Sequence, residues 1–182
     1  MSRLARCNEI LYDLLHIQQE KIDFYQQILN HFPVYTEATD LLQKIMAQSN
    51  AFVLSLRRKL DAHLGDPADS PEIKGEIYSQ WDNQHHWRGG QINVTFHLLN
   101  HLSQQCEQIE RATEDIYMKA LTADAEMPQD SRSIIINQLK KIRRIFNDAR
   151  EYKRDPGAFL PGSPESRMKN EPLEKMYAGT GF

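Results

Sequence analysis

The chain has 182 residues, 40% of them hydrophobic and 26% charged, enough for one domain with a sizeable core and an appendage. Its 22 Lys and Arg against 25 Asp and Glu leave a formal charge of −3, so no general attraction to nucleic acid or to an anionic membrane is expected. Two cysteines, no apolar run near the roughly 20 residues of a membrane span, and an N-terminus with no signal-peptide core predict a cytoplasmic chain without a disulfide framework.

Helical periodicity begins at once. The first segment, about 2–30, carries the apolar stripe Leu4, Leu11, Leu14, Leu15, Ile22, Tyr25, Ile28 and Leu29, and stops before Pro33. The second, about 36–64, carries Leu41, Leu42, Ile45, Phe52, Val53, Leu56 and Leu60 and ends at Gly65. A shorter helix within 68–90 is expected to start at Ser70-Pro71-Glu72 and to place Ile73, Ile77, Tyr78 and Trp81 on one face. The third long segment, about 91–123, has the stripe Ile92, Phe96, Leu99, Leu102, Cys106, Ile109, Thr113, Ile116 and Ala120. The fourth, about 129–154, turns Ile135, Leu139, Ile142, Ile145, Phe146, Ala149 and Tyr152 inward, with Asp130 or Ser131 as its expected cap. Residues 155–182 are rich in Pro and Gly and read as an extended tail. Its late apolar residues, Leu173, Met176, Tyr177 and Phe182, are expected to dock on the bundle or on a neighbouring subunit.

The joints between the first and second long helices, and between the third and fourth, are short, which forces antiparallel neighbours. About two dozen residues with a helix of their own separate the two hairpins. The expected fold is therefore all-α: a four-helix bundle over 1–154 with one long crossover, the ferritin-like connectivity, followed by the tail at 155–182.

The run Gly75-Glu76-Ile77-Tyr78-Ser79-Gln80-Trp81, then Gly89-Gly90, then Cys106-Glu107-Gln108-Ile109-Glu110, resembles a bacterial ferritin-like four-helix-bundle family of unknown function. The resemblance spans about 4–154. It implies the fold, and no settled activity. Two departures bear on metal binding. Ile109 stands where the family's Cys-Glu motif has glycine, and Gln19-Glu20-Lys21-Ile22-Asp23 replaces an acidic, glycine-containing stretch of the first helix.

A di-metal bundle needs a Glu from each of two helices and a Glu-x-x-His from each of the other two, all pointing inward. Turning each helix by 100° per residue puts Gln18 at the centre of the first, Gln48 and Ser49 at that of the second, and Gln138, Ile142 and Ile145 at that of the fourth. Glu9 and Glu20 turn away. Only Glu110, near the edge of the stripe on the third long helix, comes close. No catalytic residue, cofactor or metal ion is therefore expected. Glu110, Glu107, Gln18 and Gln48 are the positions that an unorthodox single-metal site would use. Gln18, Gln48 and Ser49 read instead as a polar layer that fixes helix register.

His97 and His101 share an outward face and lack a third ligand, and the adjacent His85 and His86 diverge too far to hold one ion. Trp81 and Trp87 are expected to seal the crossover helix onto the bundle or onto another subunit. Cys106 reads as a buried small hydrophobe. Late in the third long helix Glu107, Glu110, Glu114 and Asp115 face a fourth helix rich in Lys140, Lys141, Arg143, Arg144 and Arg150. That pattern reads as flanking charge between hairpin partners, or as a basic strip for an acidic partner. Taken together, the residues predict a non-catalytic interaction module, a homo-oligomer or a subunit of a larger assembly. Trp81, Trp87, Tyr177 and Phe182 are its contact residues, and a stress-related metal-binding protein is the alternative.

Overall fold

Five helices and no strand make up the described part of the chain, a computed structural model that describes residues 3–31, 36–64, 74–84 and 98–154. They are α1 (Arg3–His31), α2 (Thr36–Leu64), α3 (Glu76–Gln84), α4 (Leu98–Ala123) and α5 (Gln129–Arg154). Helices α1, α2 and α5 match the periodic segments to within about a residue, and α4 ends at Ala123 as expected. Helix α3 begins at Glu76, after Lys74 and Gly75 that lie outside any helix, and not at the expected Ser70-Pro71-Glu72. Residues 70–73, the expected start of the third long helix near Gln91, Trp87, His85, His86, His97 and the tail with Tyr177 and Phe182 fall outside the described residues.

Cross-helix bonds fix the directions. Asn8 near the start of α1 meets His63 at the end of α2, and Tyr117 of α4 meets Gln138 of α5. Lys59 of α2 pairs with Asp130 at the start of α5, and Lys21 of α1 pairs with Glu110 of α4. Each of these neighbouring pairs is thus antiparallel, in the ring order α1, α2, α5, α4. The two hairpins, α1–α2 and α4–α5, pack along their lengths, while the α1–α4 and α2–α5 seams touch more sparsely. Helix α3 lies across the α1–α4 seam. Among the described residues no helix is long and apolar enough to cross a membrane.

The core falls into two apolar clusters. One holds Ile10, Leu14 and Ile17 of α1, Phe52 and Leu56 of α2, Ile77 and Trp81 of α3, Ile116 of α4, and Ile135 and Ile142 of α5. The other holds Tyr25, Ile28, Leu42, Ile45, Cys106, Ile109 and Ile145. Of the expected inward residues of the fourth long helix, Ile135, Leu139, Ile142 and Ile145 are buried and Phe146 is half-buried, while the side chains of Ala149 and Tyr152 lie outside the described part. Leu4 is 40% exposed, contrary to its place in the expected stripe. The reason is helix length. Asn8 already sits opposite the last turn of α2, so Leu4, one turn earlier, lies past the end of its neighbour.

The turn between α4 and α5 differs from the expected cap. Neither Asp130 nor Ser131 is the boundary residue. The Pro128 carbonyl accepts the Arg132 N–H at 3.0 Å, and both Asp130 and Ser131 lie inside the first turn. Asp130 there favours the positive end of the helix dipole. Helix α4 ends with carbonyls that have no intrahelical donor. The Arg132 guanidinium supplies it, giving Nη1 to Leu121 O at 3.1 Å and Nη2 to Asp124 O at 2.9 Å. Replacing Arg132 with Ala is expected to cost about 1–2 kcal/mol in urea unfolding, since charged donors to carbonyls exceed neutral ones. Arg132→Lys, with one donor head instead of a fork, should fall between the two.

Candidate functional site

Between the two apolar clusters the long helices turn polar groups inward: Gln18 and Lys21 from α1, Ser49 from α2, Glu110 and Thr113 from α4, Gln138 from α5. Glu110 is the centre. It is 1% exposed, and Lys21, also enclosed at 2%, donates from Nζ to its Oε2 at 2.8 Å. The Tyr25 hydroxyl donates to the other oxygen, Oε1, at 2.9 Å. Both carboxylate oxygens are thus engaged, one by an ammonium and one by a phenol.

A second chain of bonds runs beside this pair. Gln18 Nε2 donates to the Tyr117 hydroxyl at 3.1 Å, which donates to Gln138 Oε1 at 2.8 Å, and Gln138 Nε2 reaches the Phe52 carbonyl at 3.4 Å. The chain ties α1 to α4, α4 to α5 and α5 to α2. Thr113 returns its hydroxyl to the Ile109 carbonyl one turn earlier, at 2.8 Å.

The electrostatics of this layer oppose nucleophilic chemistry. Burial pushes the Tyr25 hydroxyl well above its usual range, and the negative charge of Glu110 adds to it. Burial likewise raises Tyr117, against the hydrogen bond from Gln18. The Cys106 thiol is raised strongly by burial and then by Glu110, so it is held as a thiol and not as the thiolate that attacks or ligates.

The four positions considered for a single metal differ in burial and in partners. Glu110 and Gln18 do enter the polar layer, but Gln18 bonds to Tyr117 of α4 rather than to α2. Gln48 is only half-buried, while its neighbour Ser49 is enclosed. Glu107 is half-buried too. Glu110, expected at the stripe edge, is fully inside. Among the described residues no group of three or more His, Cys, Asp or Glu side chains is placed to hold a metal ion.

The second built feature is the seat of α3. Gly75 is the boundary residue of that helix; its carbonyl accepts the Ser79 N–H at 3.0 Å, and having no side chain it cannot cap the helix itself. Asp13 of α1 does so instead. Its Oδ1 accepts the Gly75 N–H at 2.6 Å and its Oδ2 the Tyr78 N–H at 3.1 Å, satisfying two donors of the first turn with one carboxylate. Asp13 is 1% exposed, and burial lifts it above the usual carboxylate range, opposed by those two backbone bonds. Beyond it, Lys74 donates to Glu20 and to the Tyr78 hydroxyl, each at 2.6 Å, and Tyr78 also donates to Glu20. The Lys74 ammonium lies 4.0 Å from the centre of the Tyr78 ring. Trp81, an expected contact residue, is buried at 3% within the chain's own core, which places it against the bundle and not on an open face.

Sequence reading found Glu110, Gln18, Ser49 and Gln138, and missed Lys21, Tyr25's hydroxyl role, Tyr117 and Asp13. No family model, no curated protein and no solved structure matches this chain.

Proposed function

We propose that this chain is a non-catalytic helical bundle of ferritin-like connectivity that serves as a structural or protein-interaction module, as a homo-oligomer or as a subunit of a larger assembly. One observation carries the reading: Glu110, the carboxylate at the heart of the polar layer, spends both oxygens on Lys21 and Tyr25. Its negative charge is already balanced inside the chain, which lowers what a bound cation would gain there. Here the positive charge beside Glu110 is a lysine of the same chain, and around it stand amides and hydroxyls that are weak ligands for transition metals. The two cysteines, Cys7 and Cys106, are free and buried, in keeping with a reducing, cytoplasmic setting.

The test is elemental analysis of chelator-treated and metal-reloaded protein, with its mass measured by light scattering. The expected result is a self-associated or partner-bound species with no stoichiometric iron or manganese. Metal that is retained at one ion per chain by the wild type and lost from Glu110→Ala would overturn the reading and favour a metal-binding role.

A further inference from the structure

The α1–α4 seam is filled by α3, a short amphipathic helix that buries Ile77, Tyr78 and Trp81 and carries Glu76 and Asp82. The opposite seam, between α2 and α5, has no such cover among the described residues. It holds an open groove of about 470 Å³ lined by Ala51, Leu54, Ser55 and Arg58 of α2 and Ile134 of α5, with Lys59 at one end. Leu54 is the most exposed of the large hydrophobic side chains among the described residues, at 56%. The flanks of the groove carry more base than acid: Lys59 is already paired with Asp130 at one end and Asp61 is exposed on α2, but three further cations stand nearby. Arg58 lies in the groove and Arg57 beside it, both exposed, and exposed Lys141 stands two turns beyond Ile134 on α5.

We propose that the chain's own segment 171–177, Glu171-Pro172-Leu173-Glu174-Lys175-Met176-Tyr177, docks in this groove as the counterpart of α3. Three features of the chain support it. Leu173, Met176 and Tyr177 stand at i, i+3 and i+4, the spacing that makes one apolar stripe on a helical turn, and Pro172 suits the first position of such a turn. Glu171 and Glu174 complement these three cations beside the groove. The reach also suffices. Ile134 lies 20 residues before the end of α5, about 30 Å along its axis. The 18 residues 155–172 span up to about 60 Å when extended. The same chemistry that seats α3, an apolar stripe with acids at its edge, thus recurs in a segment tethered within range of the seam that no described residue covers. This holds whether or not a metal binds elsewhere in the bundle.

Oxidative cross-linking of the full chain tests it. Leu54→Cys/Met176→Cys is compared with Lys119→Cys/Met176→Cys, in which the partner cysteine sits on an exposed position of α4. Leu54 and Lys119 are exposed positions, so the fold tolerates both changes, and Cys7 and Cys106 are buried away from the oxidant. The expected result is a disulfide of monomer mass between positions 54 and 176, formed at least tenfold faster than in the Lys119 control. Adding Glu171→Lys and Glu174→Lys should slow it severalfold. Equal rates in the two pairs, a product of dimer mass, or no response to the charge reversals would overturn the proposal.

Discussion

Replacing Glu110 with alanine is expected to cost about 3–5 kcal/mol, the range for breaking a buried ion pair from one side. The loss comes chiefly from what remains. The Lys21 ammonium, 2% exposed on α1, would lie between two apolar clusters without its 2.8 Å partner, and the Tyr25 hydroxyl would lose its acceptor. Lys21→Met should be costly as well, because it strands the carboxylate with only the phenol. The informative variant is the double change Lys21→Met/Glu110→Leu, which removes both charges and fills the space with apolar groups. It should recover most of the loss, since a buried pair is often no more stable than a well-packed apolar replacement. Urea unfolding of the wild type, Lys21→Met, Glu110→Leu and the double variant closes the cycle, and a coupling below about 1 kcal/mol would show that the pair is solvated rather than enclosed. What the pair contributes beyond stability is alignment. The α1–α4 seam is sparse, and its polar bonds run from Lys21 and Tyr25 to Glu110 and from Gln18 to Tyr117. Sliding α1 by one turn against α4 breaks all three, whereas an aliphatic seam would repack.

The long helices were legible because their signals are local. An apolar stripe with a 3.6-residue period and a Pro or Gly at the end places each of them, and the turn residues at 33 and 128 need no tertiary context. The polar layer was half legible. Gln18, Ser49 and Gln138 fall on inward positions by rotation alone. Lys21 falls there too, three residues after Gln18 and four before Tyr25, but a lysine in an amphipathic helix usually faces water, and only its partner on a helix 89 residues away keeps it inside. Asp13 has the same character. It stands among Ile10, Leu14 and Ile17, an acid on the core stripe, and that interruption was the available clue that something across the seam needed an acceptor. The boundary of α3 could not be read locally, because its capping side chain belongs to α1.

That remote cap makes the second large effect, and it takes the form of a non-additive pair. A methyl group at Gly75 would lie 2.7 Å from Asp13 Oδ2 and 2.9 Å from Glu9 Oε1. Glu9 can swing away, being half-exposed and paired with Arg6. Asp13 cannot, because moving its carboxylate releases the Gly75 and Tyr78 N–H groups that it caps. Gly75→Ala is therefore expected to cost about 1–3 kcal/mol as an overpacked site. Asp13→Ala should cost about 2–3 kcal/mol through loss of a charged acceptor from two donors. With Asp13 already gone, however, the added methyl group meets no carboxylate, so Gly75→Ala should then be nearly neutral. The readout follows α3 itself. In a Trp87→Phe background the remaining tryptophan, Trp81, is buried on the face that α3 presents to α1 and α4, and either single change should shift its emission to the red as the helix loosens. If the two substitutions simply add, in stability and in Trp81 emission, then α3 is held by its apolar face alone and the capping carboxylate is incidental.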